Sequence, residues 1–425
     1  MGPSLFSSQA TREFHHDVVL PHSGGMEVYM KKFFYKLVAI IIAAIMLLPI
    51  CLEVYGEENA PAPPENMLGV TDGSLNLNCK SAILMEATTG TVLYAQNAEE
   101  ALPPASVTKV MTLLLVMEAI DAGTIRVDDT VSISANAASM GGSQVFLEEG
   151  EQMSVEDLLK SVVIASANDA AVALAEYVSG STDAFVMKMN AKAAELGMSA
   201  TKFENVTGLD DTAEHHLTSA KDIALMSCAL VKHPLILQYS SIWMDTIRDG
   251  AFGLTNTNRL VRFYKGCTGL KTGSTSKAGF CVSATAERDG LSLVCVIMGA
   301  ESRDIRNAAA TALLDWGFAN FAFFREDAGI SAPIRVKGSA KQEIVGSYPA
   351  FSCVVRREEL SKIEKNITLA ENVIAPTPAG EKIGTVSFRC GEKEIGSVDI
   401  CTENEIKRIG FFEILCQVFA KSLLI

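Results

Sequence analysis

Strand-like sequence occurs at both ends of one long region of this chain, and helical sequence fills the middle. Residues 81–86 (SAILME) and 91–95 (TVLYA) are short apolar runs joined by Ala87-Thr88-Thr89-Gly90, which predicts a hairpin. Residues 279–287 and 291–298 flank the turn Arg288-Asp289-Gly290 and predict a second one. Between them the apolar residues recur at helical spacing, giving predicted helices over 106–120, 154–165, 168–179, 182–196 and 219–232, with a further helix over 303–321. Neither hairpin can bury an apolar face alone. One mixed sheet built from sequence-distant halves, with helices packed on it, satisfies both. Past residue 330, short strand candidates at 334–336, 351–356, 367–370, 384–389 and 394–400 alternate with Gly, Pro and charged turns, which predicts a small all-β domain. A chain of 425 residues that is 48% hydrophobic is long enough for both.

The two ends carry different signals. Residues 31–36 (KKFFYK) are basic, and 37–52 form an uncharged apolar run that ends near Val54, Tyr55 and Gly56. That pattern predicts a secretory signal peptide over 30–56, with an uncleaved anchor as the alternative, and therefore an exported protein. Cys51 follows bulky Ile50, which fits a lipid attachment site poorly. Residues 1–29 show no periodicity and read as an upstream extension, and 57–74, rich in Pro, Glu and Asn, as a linker. The reading then divides into a catalytic domain over 75–328, a β-rich domain over 329–403 and an amphipathic helix over 404–425. In that last segment Glu413, Gln417 and Lys421 fall on one narrow stripe of an otherwise apolar helix, behind Lys407 and Arg408. It suits either the surface of the cytoplasmic membrane, on its outer face, or packing against the protein's own domain.

A formal net charge of −14 excludes a broad basic surface, so nucleic acid is not a predicted partner. The ten cysteines are scattered without a C-x-x-C spacing, which argues against zinc. Cys281 and Cys295 lie in apolar runs and read as buried thiols, while disulfide pairing is left open.

Three short motifs carry the chemistry. Ser106-Val107-Thr108-Lys109 follows Pro103-Pro104-Ala105 and opens an apolar helix, so the serine sits where free N–H groups favour developing negative charge. Lys109 lies one turn on, on the same face. A serine hydroxyl is a poor nucleophile at neutral pH, and a lysine amine can act as its base when burial and nearby positive charge lower its pKa. Alone, the S-x-x-K spacing is common enough to be an ordinary helix cap. Ser166-Ala167-Asn168 interrupts two apolar helices and fits a cap as well as a site lining. Lys271-Thr272-Gly273-Ser274 places an ammonium beside hydroxyls and a glycine that permits close backbone approach, or forms a plain turn.

Taken in order, the three motifs resemble the signature of serine β-lactamases and penicillin-binding proteins. The segments PPASVTKVMT, SANDAAVALAEYVSG, FENVTGLDD, NTNRL, GLKTGST and LLDWGF look most like the low-molecular-mass D-alanyl-D-alanine carboxypeptidases. The resemblance implies an α+β fold: a transpeptidase-like domain with a helical block on an antiparallel sheet, then the small all-β domain and the C-terminal amphipathic helix. It implies a penicillin-inhibited carboxypeptidase acting on peptidoglycan stem peptides, with β-lactams as covalent inhibitors and no cofactor or metal. By the same resemblance Ser106 is the nucleophile, Lys109 its base and Ser166 a proton relay to the leaving amine. Asn168 binds the substrate amide, Lys271 attracts the terminal carboxylate, and Thr272 and Ser274 bond that carboxylate beside Gly273, with Arg306 facing it. The N–H groups of Ser106 and Ser274 form the oxyanion hole. A β-lactamase or D,D-endopeptidase on the same fold and a non-catalytic penicillin-binding sensor are the alternatives. For the β-lactamase, Glu204 lies in the right part of the chain but lacks the E-x-x-L-N setting.

Overall fold

The structure is a computed structural model that describes residues 75, 77–209 and 213–422. The upstream extension, the signal segment and the linker expected over 1–74 lie outside the described residues.

The main sheet has five strands: β1 (Ser81–Glu86), β2 (Val92–Gln96), β3 (Cys267–Thr275), β4 (Gly279–Arg288) and β5 (Leu291–Ala300). Their order is β2-β1-β5-β4-β3, so the two hairpins join through β1 and β5, from Ser81 opposite Met298 to Glu86 opposite Leu293. Every ladder is antiparallel, as the family resemblance implies, and not mixed as the separated hairpins alone suggested. The connections within each half are too short for a parallel crossover, and the one long-range join is antiparallel as well. Ile83 and Met85 bury into one core, and Ala82 and Leu84 into the other. Burial on both faces explains why SAILME is almost continuously apolar rather than alternating.

One face carries the helical block: α1 (Lys109–Asp121), α2 (Val155–Ile164), α3 (Asn168–Ser179), α4 (Thr182–Glu195) and α5 (Ala220–Leu230). The other carries α6 (Arg303–Asn320). Serine side chains at 154, 181, 219 and 302 accept the N–H three residues on, which starts α2, α4, α5 and α6 where they do. Gly180, left-handed at φ 77°, ends α3. Among the described residues every cysteine is a free thiol, with Cys281 and Cys295 buried in the sheet.

After α6 the chain turns into strand Phe321–Glu326, which pairs with Phe351–Arg356. A five-stranded sheet and a three-stranded one, the latter joined by a short parallel pair, complete the all-β part. Phe324, Phe351 and Phe388 cluster in its core, the last two stacked at 4.6 Å. A final helix, α7 (Phe411–Ser422), exposes Phe411, Phe412, Ile414, Leu415, Val418 and Phe419. Among the described residues no helix is long and apolar enough to cross a membrane.

Candidate active site

Ser106 lies in a 3₁₀ turn, Ala105–Thr108, and α1 begins only at Lys109. The expected helix start is therefore shifted by one tight turn. Ala105 is left-handed at φ 49°, a conformation that a non-glycine residue holds only when its surroundings fix it. Those surroundings come from residues 203–209 and 213–218. Thr108 Oγ1 donates to the Ala105 carbonyl at 2.8 Å. His216 Nδ1 accepts the Glu204 N–H at 3.0 Å, so Nε2 carries the ring proton and donates to Thr108 Oγ1 at 2.7 Å. Gly208, at φ 82°, passes so close that a Cβ there would lie 1.8 Å from the Ala105 oxygen.

His216 escaped the sequence reading because Thr108, the residue of the nucleophile turn that it supports, lies 108 residues upstream. Replacing it with alanine removes a buried hydrogen bond from the nucleophile turn and is expected to slow acylation by penicillin about tenfold. His216→Gln, which can still donate and accept, is expected to recover most of the rate. Time courses of penicillin adduct formation by mass spectrometry check this, and equal rates for wild type and alanine variant would contradict it.

Lys109 is fully buried. Its Nζ stands 2.9 Å from Ser106 Oγ, and it donates to Asn168 Oδ1 at 2.6 Å and to the Thr207 carbonyl at 2.9 Å. The last two partners can only accept. A neutral amine gives each of them one N–H and keeps its lone pair for the Ser106 hydroxyl. Burial, reinforced by the Lys271 ammonium and partly opposed by Asp169, holds the Lys109 pKa well below that of an ordinary lysine. The arrangement is that of a serine with an adjacent base.

The second and third motifs converge on the same place. Ser166, left-handed at φ 65° between α2 and α3, accepts from Lys271 Nζ at 2.8 Å. Lys271 is buried on β3, and burial together with Arg306 lowers its pKa to about 7. Thr272 Oγ1 donates to Thr257 Oγ1 at 2.8 Å. Gly273 lets β3 lie against the nucleophile turn, since a Cβ there would be 2.7 Å from the Ser106 nitrogen. Asn168 has other partners than those expected of it. Its Oδ1 holds Lys109 and its Nδ2 donates to the Gly141 carbonyl at 2.7 Å, so its amide braces the base rather than facing the cavity.

Ser106, Ser166, Thr272, Gly273, Ser274 and Arg306 line one cavity of about 640 Å³, with Lys109, Asn168 and Lys271 behind its wall. Arg306 is buried and donates to Asn307 Oδ1 and, at 3.4 Å, to the Cys281 carbonyl. Glu204 is bonded to Lys202 and to the His215 N–H, and does not line this cavity. The sequence reading missed Trp243, Thr257, Arg259 and Arg303, which also line it. Thr257 and Arg259 belong to the NTNRL segment already singled out, whose side chains gave no hint of which way they would face.

The sequence profile of the D-alanyl-D-alanine carboxypeptidases matches residues 69–302. The chain belongs to that family. A second profile, the C-terminal domain of penicillin-binding protein 5, matches residues 324–408. Among relatives of this carboxypeptidase-family chain, D-alanyl-D-alanine carboxypeptidase DacF of Bacillus subtilis is 38% identical over 388 residues, which is 89% of this chain and 97% of the relative. The crystal structure of penicillin binding protein 5 from Haemophilus influenzae superposes with a TM-score of 0.69 at 30% identity, across 80% of this chain and 100% of that one. Penicillin-binding protein D2 from Listeria monocytogenes, in its ampicillin-bound form, superposes with a TM-score of 0.53 at 34% identity over 57% of this chain and 99% of that one. The resemblance read from the motifs thus extends over the catalytic domain and the β-rich domain that follows it.

Proposed function

We propose that this chain is a serine D-alanyl-D-alanine carboxypeptidase that removes the terminal D-alanine from peptidoglycan stem peptides and is acylated by β-lactams. The observation that carries the reading is the 2.9 Å approach of Lys109 Nζ to Ser106 Oγ, with the amine's two other directions held by pure acceptors. Lys109 takes the Ser106 proton as the hydroxyl oxygen bonds to the penultimate carbonyl carbon. The C–N bond then breaks, the proton passes through Ser166 to the leaving amine, and D-alanine departs. Water activated by the same lysine cleaves the ester. Thr272, Ser274 and Arg306 suit the terminal carboxylate, and the Lys271 ammonium draws it in. In a β-lactam the amine stays tethered after ring opening and obstructs the incoming water. Glu204 is engaged elsewhere and, among the described residues, no carboxylate lines the cavity to assist that water, so drug hydrolysis is expected to be slow.

Two assays test this. Fluorescent penicillin should label Ser106, and a pentapeptide should release D-alanine. Labelling without release would favour a sensor instead. The pH dependence adds a sharper check. Lys109 must be neutral to act as a base, so acylation rises as pH rises through its pKa. The Lys271 ammonium depresses that pKa, and replacing Lys271 with methionine is expected to move the acid limb of the acylation profile to higher pH. An unmoved limb would remove Lys271 from this role.

Location belongs to the same proposal. The signal-like segment over 30–56 supports export, and the apolar side chains of α7 beside Lys407 and Arg408 support a helix lying on the outer face of the cytoplasmic membrane. Ile406 is buried and bridges to Thr377, so truncation is best made from Gly410 onward. The shortened protein is expected to move from the membrane pellet to the soluble fraction. Continued pelleting would make the N-terminal segment the anchor.

A further inference from the structure

The carboxylate end of the cavity holds more positive charge than one carboxylate needs. Arg259, Arg303 and Arg306 all line it, and among the described residues none of the three has a carboxylate within 4.0 Å. The side-chain partners of Arg306 are neutral, the Asn307 amide oxygen and a backbone carbonyl. Burial and the two other guanidiniums lower the Arg306 pKa to about 10, with Asp304 acting in the opposite sense. In a chain of net charge −14 this is a local concentration of unneutralised cations, and like charges gathered in one cleft favour binding of an anion.

The position of the group fixes which part of a substrate it meets. Arg259 lies two residues after Thr257, whose hydroxyl accepts from Thr272, and Arg303 lies one turn before Arg306 on α6. Both therefore flank the residues that suit the terminal carboxylate, on the leaving-group side of Ser106. The space continues past them. A second cavity of about 310 Å³ shares Arg259 and Phe263 with the first and runs along Asn307, Ala308 and Thr311.

We propose that Arg259 and Arg303 form a second anion subsite, and that the enzyme accepts a leaving D-amino acid whose side chain carries a further carboxylate. The inference rests on the carboxypeptidase reading above and adds a substrate class to it. The acyl transfer is unchanged: the same C–N bond breaks, and an acidic D-amino acid leaves as the protonated amine.

The test uses the full chain and three acyl-D-Ala-D-X substrates, with X as alanine, glutamine or glutamate. Glutamine matches glutamate in size without its charge. Two partly solvated charge-assisted contacts are expected to favour glutamate over glutamine by about tenfold in kcat/KM at low salt. That preference should shrink as salt is raised. The double variant Arg259→Gln/Arg303→Gln should lose the preference, the glutamate substrate falling to the glutamine rate, while penicillin still labels Ser106. Equal rates for glutamate and glutamine in the wild type would overturn the proposal, as would a double variant that slows all three substrates alike. Absence of both D-alanine release and penicillin labelling in the wild type would overturn the carboxypeptidase reading itself, and the subsite with it.

Discussion

Ser106→Ala is expected to abolish penicillin labelling and D-alanine release, and Lys109→Ala to slow acylation by about three to four orders of magnitude. The double variant should be no worse than Ser106→Ala alone, because the two groups act as one unit and the second removal has nothing left to disable. Lys109→Ala leaves Asn168 Oδ1 and the Thr207 carbonyl without their donor, a loss of about 1–3 kcal/mol for each buried group left unpaired. It also removes a buried amine that was costly to desolvate, and water can enter the vacated space from the adjoining cavity, so the fold should survive. Mass spectrometry after incubation with penicillin reads the adduct, and a thermal melt reads folding. A Lys109→Ala protein that acylates at near wild-type rate would dismiss the lysine as the base.

Gly273→Ala should be almost as damaging although it removes no functional group. Its Cβ would sit 2.7 Å from the Ser106 nitrogen and 2.9 Å from both the Pro104 oxygen and the Val107 nitrogen. All three are backbone atoms of the nucleophile turn, so relief requires β3 and that turn to move apart. Such a separation, toward 1 Å, misplaces the hydroxyl relative to Lys271 and the carboxylate-binding residues, for which about a hundredfold loss of acylation rate is expected. Overpacking costs about 1–3 kcal/mol, which should lower the melting temperature without preventing folding. An alanine variant with an unchanged acylation rate would show that the close approach has no catalytic consequence.

Local signals were read well. Helix α3 spans the residues 168–179 expected for it, and α6 begins at Arg303 as expected, behind Ser302. Strand 351–356 also has its expected bounds. Each of these depends on neighbours within a turn or two, through capping, periodicity or a breaker residue. The expected helix end at 321 gave way to strand Phe321–Glu326, whose partner Phe351–Arg356 lies beyond several intervening strands. In that stretch FAFFRE has no breaker, and only the ladder decides for strand. The hairpin Met244–Ile247 with Phe252–Thr255 was missed for a similar reason, since its strands are short and weakly patterned.

The sequence alone determined the chemical parts: a serine and a lysine one turn apart, a serine and an asparagine between helices, and a lysine followed by threonine, glycine and serine. It also determined the apolar runs that build a sheet covered on both faces. Tertiary structure decided what those parts do to one another. The direction of the Lys109 lone pair depends on Asn168 and Thr207, the form of the nucleophile turn on His216 and Gly208, and the charge at the carboxylate end on Arg259, Arg303 and Arg306. The contacts to Lys109 and to the nucleophile turn join residues 59 to 108 positions apart. Hydrogen-bond direction and electrostatic fields act through space, and their strength follows distances that no local pattern of residues encodes.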